Sequence, residues 1–166
     1  MKPGMIAAAL FALALSAGAV AAQPAKSLGE QIVGTWNFVV AEVTAPDGKK
    51  SFPFGETPKG ILIFTPDGHF AQIHVAGGVP MINDPVITAE QYAAIMRRSL
   101  SVFGTYTVDE ANKTVTYNIV SASFPNWQGE TQTRAIDKLT SDEFVNTNRS
   151  VAGGRGSASN FYRRAK

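Results

Sequence analysis

Short runs of alternating apolar and polar residues dominate the chain from Gly34 onward. Successive side chains of a strand point to opposite faces, so alternation with a period of two indicates strands with one buried face. Clusters of Pro, Gly, Asn, Asp and Ser separate these runs, as is typical of turns. The sequence therefore predicts eight strands, at residues 34–44, 59–65, 69–75, 100–108, 114–121, 131–139, 143–150 and 157–164.

The turns between the runs indicate how the strands connect. Pro66-Asp67-Gly68 joins the second and third runs, and residues 109–113 join the fourth and fifth, so both pairs read as β-hairpins. Consecutive hairpins favour an antiparallel sheet of up-and-down topology, and closing such a sheet into a barrel removes its exposed edges.

One segment has a helical signature. Thr88 and Gln91 have the spacing of a capping box, and they precede the helix-compatible stretch 92–98. We expect an all-β, up-and-down antiparallel barrel of about eight strands with one short inserted helix. A barrel of that size is just wide enough inside for side chains or one small ligand.

The N-terminus has the pattern of an export signal. Residues 5–20 are almost continuously apolar, follow Lys2, and lead into small residues. The sequence predicts a signal peptide over residues 1–22, a polar linker over 23–31 and one barrel domain over 32–166. We expect a periplasmic or secreted protein without a stable membrane anchor after cleavage; an uncleaved N-terminal anchor is the alternative.

Composition excludes several kinds of site. The chain has no cysteine, which rules out disulfides, thiol nucleophiles and thiolate metal ligands. Its 15 Lys and Arg oppose 13 Asp and Glu, so no nucleic-acid partner is indicated, and the basic cluster of Arg163, Arg164 and Lys166 reads as a solvated tail. His69 and His74 fall on opposite faces of one strand, so we expect no metal site and no cofactor.

Several motifs make the chain resemble a known family. They are Gly34-Thr35-Trp36, residues 58–69, residues 104–109, residues 124–129 and Gln132-Thr133-Arg134. With them the chain resembles the bacterial and fungal lipocalin-like domain family from about Ile32 to the C-terminus. That resemblance implies a calycin-type β-barrel with an internal pocket.

The first predicted strand combines a scaffold residue with an ambiguous one. The resemblance implies that Trp36 plugs the closed end of the barrel and stacks on Arg163 or Arg164. Alternation places Phe38 and Val40 on the same face as Trp36. Glu42 shares that face if the strand continues, and is a solvated turn residue if it does not.

Candidate ligand-binding residues lie mostly in the second half of the chain. If the faces that carry them are inward, Tyr106, Tyr117, Gln132 and Arg134 would place a few polar groups among aliphatic walls, as ligand pockets require. Gln72 and His74 share a face that is either an inward polar lining or the wet outer surface. The full candidate set is Phe38, Gln72, His74, Tyr106, Tyr117, Phe124, Trp127, Gln132 and Arg134.

An inward Arg134 would need a partner, because an unmatched buried charge costs several kcal/mol. The candidates are Glu42, Glu130, a ligand carboxylate or phenolate, and stacking on Trp127. Alternatively, Arg134 only stacks on Trp127 or ties the corner at 124–129 to the barrel.

We therefore expect a barrel that binds a small, mostly apolar molecule with a polar or anionic group. One alternative is an enzyme that isomerises or cyclises such a molecule, with Arg134 stabilising an oxyanion and Tyr117 or His74 moving a proton. A second alternative is a protein-interaction module whose interior is filled by its own side chains. The sequence contains no nucleophile elbow, paired acids or phosphate loop.

Overall fold

A computed structural model describes residues 25–79, 81–83, 85–151 and 156–166; the predicted signal peptide lies outside these ranges. The elements are α1 (Leu28–Ile32), β1 (Gly34–Thr44), β2 (Lys50–Ser51), β3 (Lys59–Phe64), β4 (His69–Val75), α2 (Ala89–Arg97), β5 (Ser99–Asp109), β6 (Thr114–Ala122), a 3-10 turn at Pro125–Trp127, β7 (Thr131–Leu139), β8 (Glu143–Asn148) and β9 (Ser157–Arg164). All eight predicted strands are present, with ends that differ by two residues or fewer.

Eight of the strands form a closed antiparallel barrel. Strands β3 to β9 pair in sequence order, and β1 pairs with β3 on one side and with β9 on the other. The short strand β2 adds to the far end of β1. The predicted up-and-down barrel with one inserted helix is confirmed.

A β-bulge in β1 changes which of its residues point inward. The register with β9 shifts between Phe38 and Val40. A bulge adds one residue to the strand, so the alternation of faces restarts beyond it. Ala41 is therefore buried in the core, whereas Glu42 points outward and pairs with Lys50 at 2.9 Å. The prediction that Val40 shares the face of Trp36 is wrong for this reason, and of the two alternatives for Glu42 the shared inward face is excluded.

The closed end of the barrel is capped by α1, which begins within the stretch 23–31 predicted to be a polar linker and ends one residue beyond it. The Ser27 hydroxyl accepts from the Glu30 amide, and the Glu30 carboxylate accepts from the Ser27 amide, which is a complete capping box. The amides of Leu28 and Gly29 donate to the Glu110 carboxylate at 2.9 Å each. These contacts satisfy amides that a helix N-terminus leaves unpaired and fix α1 to the barrel.

Trp36 closes this end, as predicted. Its ring is fully buried, its Nε1 donates to the Ile32 carbonyl at 2.7 Å, and the Arg164 guanidinium lies 3.9 Å above the ring. Arg164 also donates to three backbone carbonyls, so it belongs to the closed end and not to a solvated tail. Gly34 has a φ of 125°, and a Cβ there would approach Arg164 Nη1 to 2.8 Å, which explains the glycine two residues before the tryptophan.

Helix α2 lies in the connection between β4 and β5. Its capping box forms as predicted, with the Gln91 amide donating to Thr88 Oγ1 and the Thr88 amide donating to Gln91 Oε1. Every residue of α2 is at least partly exposed. No helix in the described ranges is long and apolar enough to cross a membrane.

Candidate functional site

The interior of the barrel is divided into a filled half and a hollow half. Near the closed end, large aromatic side chains occupy the axis and contact one another with ring centroids 5.5–6.0 Å apart. These are Trp36, Phe64, Tyr117, Phe144 and Tyr162. A fully filled interior would leave no space for a ligand, but here a cavity remains beyond these rings.

The open half contains a cavity of about 280 Å³. It lies between the open ends of the strands, so its walls come from nearly every part of the barrel. The lining residues are Ala41, Val43, Pro53, Phe54, Gln72, His74, Leu100, Trp127, Gln132, Arg134, Asn148, Val151, Ala158 and Asn160. The lining combines apolar side chains with six polar ones, which are Gln72, His74, Gln132, Arg134, Asn148 and Asn160.

Arg134 is the main charged group of the cavity. It sits on the inward face of β7 and is 9% exposed. One terminal nitrogen donates to Asn146 Oδ1 at 3.4 Å and the other to Gln132 Oε1 at 3.2 Å, both long for hydrogen bonds of this kind. The third nitrogen, Nε, is buried and has no hydrogen-bond partner among the described residues.

No carboxylate in the described ranges lies within ion-pair distance of Arg134. Glu42, one of the predicted partners, instead pairs with Lys50. The guanidinium lies 5.4 Å from the centroid of the Tyr117 ring, and this is the aromatic ring on which it stacks, rather than Trp127. The protein therefore buries a positive charge and supplies it with amide oxygens and a ring face, but with no negative charge.

Amide side chains surround the guanidinium. Asn146 Oδ1 also accepts from Asn160 Nδ2 at 3.3 Å, and Asn146 Nδ2 donates to the Tyr117 hydroxyl at 3.4 Å. Burial raises the pKa of Tyr117, although the Arg134 charge opposes that shift. The phenol therefore stays neutral, and it does not serve as a counterion for Arg134.

His74 forms the opposite wall. Its ring stacks on Phe38 with a centroid distance of 3.5 Å, and Nε2 lies 3.1 Å from the Tyr162 hydroxyl. Burial, reinforced by the Arg134 charge, lowers the pKa of His74 to about 3. The imidazole is therefore neutral at ordinary pH, which leaves Arg134 as the cation that faces the cavity among the residues described.

The structure brings together most of the predicted ligand-binding residues. Gln72, His74, Trp127, Gln132 and Arg134 line the cavity, so the open question about the faces of Gln72 and His74 is answered: both are inward. Two more predicted residues, Phe38 and Tyr117, are buried directly behind the lining, against His74 and Arg134.

Two predicted residues lie elsewhere. Tyr106 is near the closed end, where its hydroxyl donates to the Thr65 carbonyl at 2.9 Å and its ring packs on Phe64, so it is corrected to a scaffold position outside the cavity. Phe124, in the connection between β6 and β7, is 49% exposed and contacts Trp127 edge-on at 5.8 Å, so it does not line the cavity itself.

Sequence reasoning missed the asparagines. Asn146 is fully buried on β8, and Asn160 is buried opposite it on β9. Asparagine is disfavoured in strand interiors, so two of them at inward positions were a usable signal for a polar interior. Phe54, from the segment between β2 and β3, also lines the cavity, and no strand pattern could have placed it there.

Within the described ranges, no group of three or more His, Cys, Asp or Glu side chains is arranged to hold a metal ion. His69 is exposed while His74 is buried, so the two histidines do diverge as predicted. The polar groups of the cavity suit an organic ligand better than a cation, since the only charge they present is positive.

Comparison with known proteins identifies the family of this chain. The model of a lipocalin-like domain matches residues 33–161. Among solved structures, the chain is similar to a lipocalin-like protein from Bacteroides uniformis at 13% identity, covering 81% of this chain and 99% of that one with a TM-score of 0.46. It is also similar to a redesigned β-barrel at 15% identity, covering 85% of this chain and 100% of that one with a TM-score of 0.42. No curated protein matches the sequence. Because the family model spans most of the chain, this protein belongs to the lipocalin-like domain family.

Proposed function

We propose that this protein binds a small, mostly apolar molecule with an anionic group, and that Arg134 is the anchor for that group. The observation that carries the proposal is the buried guanidinium with no carboxylate partner in the described ranges and with Nε unpaired. The lipocalin-like barrel suggests ligand binding in general. The residues that line the cavity indicate which chemical groups the ligand should have.

Electrostatics favours an anion over a neutral group. A charge taken out of water costs several kcal/mol unless it is paired and hydrogen-bonded. The two amide oxygens beside Arg134 offset part of this cost through dipoles, whereas a carboxylate offsets it with a full charge. The planar guanidinium can donate two parallel hydrogen bonds to a carboxylate, and the unpaired Nε provides one of the donors.

The apolar part of the lining favours an apolar body. Leu100, Phe54 and Trp127 line the cavity, together with Val43 and Ala41. Burying apolar surface against them supplies affinity, while the few polar groups fix the orientation of the ligand. The guanidinium of Arg134 and the apolar walls together favour an amphiphilic small molecule as the ligand.

The test compares octanoate with octan-1-ol, which share an alkyl chain and differ in charge. Isothermal titration calorimetry at neutral pH should show that the wild-type protein prefers octanoate. Arg134→Met should weaken octanoate binding by about 2–5 kcal/mol, the range for breaking a buried charged pair, and should remove the preference. Arg134→Lys should restore only part of the affinity, because the planar fork is lost.

Arg149→Met is the matched control, because Arg149 is 73% exposed and lies on the outside of the barrel. It should bind both compounds as the wild type does. Equal affinity of the wild-type protein for octanoate and octan-1-ol would contradict the proposal, and so would unchanged octanoate binding in Arg134→Met.

The titration behaviour of the cavity gives the enzyme alternative little support. General acid–base groups work best when their pKa lies near the working pH. The pKa of His74 is lowered to about 3, and burial raises the pKa of Tyr117 far from neutrality. Neither group is poised to exchange a proton with a bound molecule, so we propose binding rather than catalysis.

The N-terminal sequence suggests where the protein acts. The apolar run at residues 5–20 with a preceding Lys2 has the pattern of a signal peptide. We propose that the barrel acts after export, in the periplasm or outside the cell, where it would meet amphiphilic small molecules as free solutes.

A further inference from the structure

A second pocket opens directly above the cavity. It has a volume of about 520 Å³ and is lined by Phe54, Met96, Arg97, Ser99, Leu100, Ser123, Phe124 and Trp127. Three of these residues, Phe54, Leu100 and Trp127, also line the inner cavity. The two spaces therefore meet along a shared apolar wall, and a ligand that outgrows the inner cavity extends into the outer pocket.

Polarity changes sharply from one space to the other. The inner cavity contains the guanidinium of Arg134 with Gln72, His74 and Asn160. In the outer pocket the large side chains other than Arg97 are apolar, and two of them are unusually exposed for their type: Met96 at 52% and Phe124 at 49%. Exposed apolar patches at a concave site mark surfaces that bury a partner or a ligand.

The size of the inner cavity also indicates that a bound ligand extends into the outer pocket. At about 280 Å³ it falls just below the range of roughly 300–1,000 Å³ that is typical of small-molecule sites. A ligand held by Arg134 at the inner end therefore needs the outer pocket to complete its burial.

We propose that the ligand is a linear aliphatic carboxylate that binds with its head group on Arg134 and its chain running past Leu100 and Trp127 onto Phe124 and Met96. This inference rests on the proposed function, and it adds the shape of the ligand and its direction. The 3-10 turn at Pro125–Trp127 and helix α2 then act together as the two sides of a channel for the chain.

The opposite direction is the competing arrangement. Arg97 lies at the end of α2 and lines the outer pocket, so a carboxylate there would place the chain inside the barrel. That arrangement would bury a hydrocarbon chain against Arg134, Gln132 and Asn160, whose polar groups would lose water without gaining partners. The head-inward direction avoids this cost.

The experiment measures how affinity depends on chain length, using hexanoate and dodecanoate by isothermal titration calorimetry. Each methylene that enters an apolar environment strengthens binding about fourfold, and less where burial is partial. Dodecanoate should therefore bind the wild-type protein about 50-fold or more tightly than hexanoate. In Phe124→Ser and in Met96→Ser, the ratio of dodecanoate affinity to hexanoate affinity should be about tenfold lower than in the wild type.

The control is Phe103→Ser, because Phe103 is 52% exposed but lies on the outer surface of β5, away from both pockets. It should leave the ratio of dodecanoate to hexanoate affinity unchanged. Thermal denaturation of each variant shows whether it is folded, and the exposure of Phe124 and Met96 makes folding of both variants the expected result.

Three outcomes overturn the inference. One is a chain-length ratio near unity in the wild-type protein. Another is an unchanged ratio in both Phe124→Ser and Met96→Ser. A third is a loss of dodecanoate binding in Arg97→Gln together with full binding in Arg134→Met, which would establish the reverse direction. A wild-type protein that prefers octanoate to octan-1-ol but gives either of the first two results retains the proposed function and loses only the linear, head-inward ligand. The third result would contradict the proposed function as well, because Arg134 would no longer be the anchor.

Discussion

Replacing Arg134 with methionine should stabilise the ligand-free protein, although it removes two hydrogen bonds. Methionine matches arginine in its unbranched shape and fills much of the same space, so the main change is the loss of a buried charge. If the site is built for a ligand, the empty protein should gain stability when the charge is removed. A residue kept for structural reasons would show the opposite.

The structure sets the size of the effect. The guanidinium loses several kcal/mol of hydration on burial. Against this, its two long hydrogen bonds to Asn146 and Gln132 are worth about 1 kcal/mol each, and its contact with the Tyr117 ring adds about 0.5–2 kcal/mol. We expect Arg134→Met to raise the free energy of unfolding by about 1–3 kcal/mol, within the range seen when buried ionic groups are replaced by apolar ones.

Urea denaturation followed by fluorescence of the two tryptophans measures this difference. Arg149→Met is the control, since its exposed ion pair with Asp137 at 2.9 Å should contribute less than about 1 kcal/mol. Saturating octanoate should stabilise the wild-type protein by mass action and leave Arg134→Met nearly unchanged. If ligand-free Arg134→Met is less stable than the wild type by more than about 1 kcal/mol, the guanidinium is satisfied by the protein itself and the argument for an anionic ligand fails.

Four further predictions follow from the same contacts. The pKa of His74 is lowered from 6.5 to about 3, so on acidification the unfolded chain binds a proton at this residue before the folded protein does. The free energy of unfolding should therefore fall as the pH drops from about 6.5 toward 3, with a slope of up to about 1.4 kcal/mol per pH unit. Denaturation of His74→Gln should lack this slope, and the control His69→Gln, at an exposed site, should keep it. Trp36→Ala should lower the free energy of unfolding by about 3–5 kcal/mol, and an unchanged urea midpoint would show that Trp36 is not the plug. Dialysis against EDTA should leave the melting temperature unchanged, whereas stoichiometric zinc in protein purified without added metal would argue for a metal site. N-terminal sequencing of the exported protein should find a start near residue 23, and a start at Met1 would refute cleavage.

Local patterns were sufficient for the strands and their order. Alternation located all eight barrel strands, and the turn between β3 and β4 at residues 66–68 indicated their pairing directly. The capping box at Thr88 and Gln91 located α2 for the same reason: it depends on contacts between residues three apart. Such features are encoded within a few residues, so the sequence alone can reveal them.

Short local signals were also overlooked. The capping box of Ser27 and Glu30 precedes only five helical residues, a length at which an isolated helix is unstable, so the polar stretch read as a linker. Helix α1 persists because the Glu110 carboxylate, 82 residues along the chain from Leu28, accepts its free amides. That contact exists only once the barrel has closed.

The site depended on information that no single strand contains. Alternation divides a strand into two faces but does not say which face is inward, and the bulge between Phe38 and Val40 reverses the assignment partway along β1. Tyr106 and Tyr117 are direct cross-strand partners, yet one packs near Thr65 and the other under Arg134. Whether a side chain points inward, and how deep it lies along the barrel axis, depends on how the eight tilted strands are staggered around the barrel. That stagger is a property of the closed sheet as a whole. The chain therefore determines its strands locally, whereas the hollow half and its unpaired guanidinium arise only when distant strands meet.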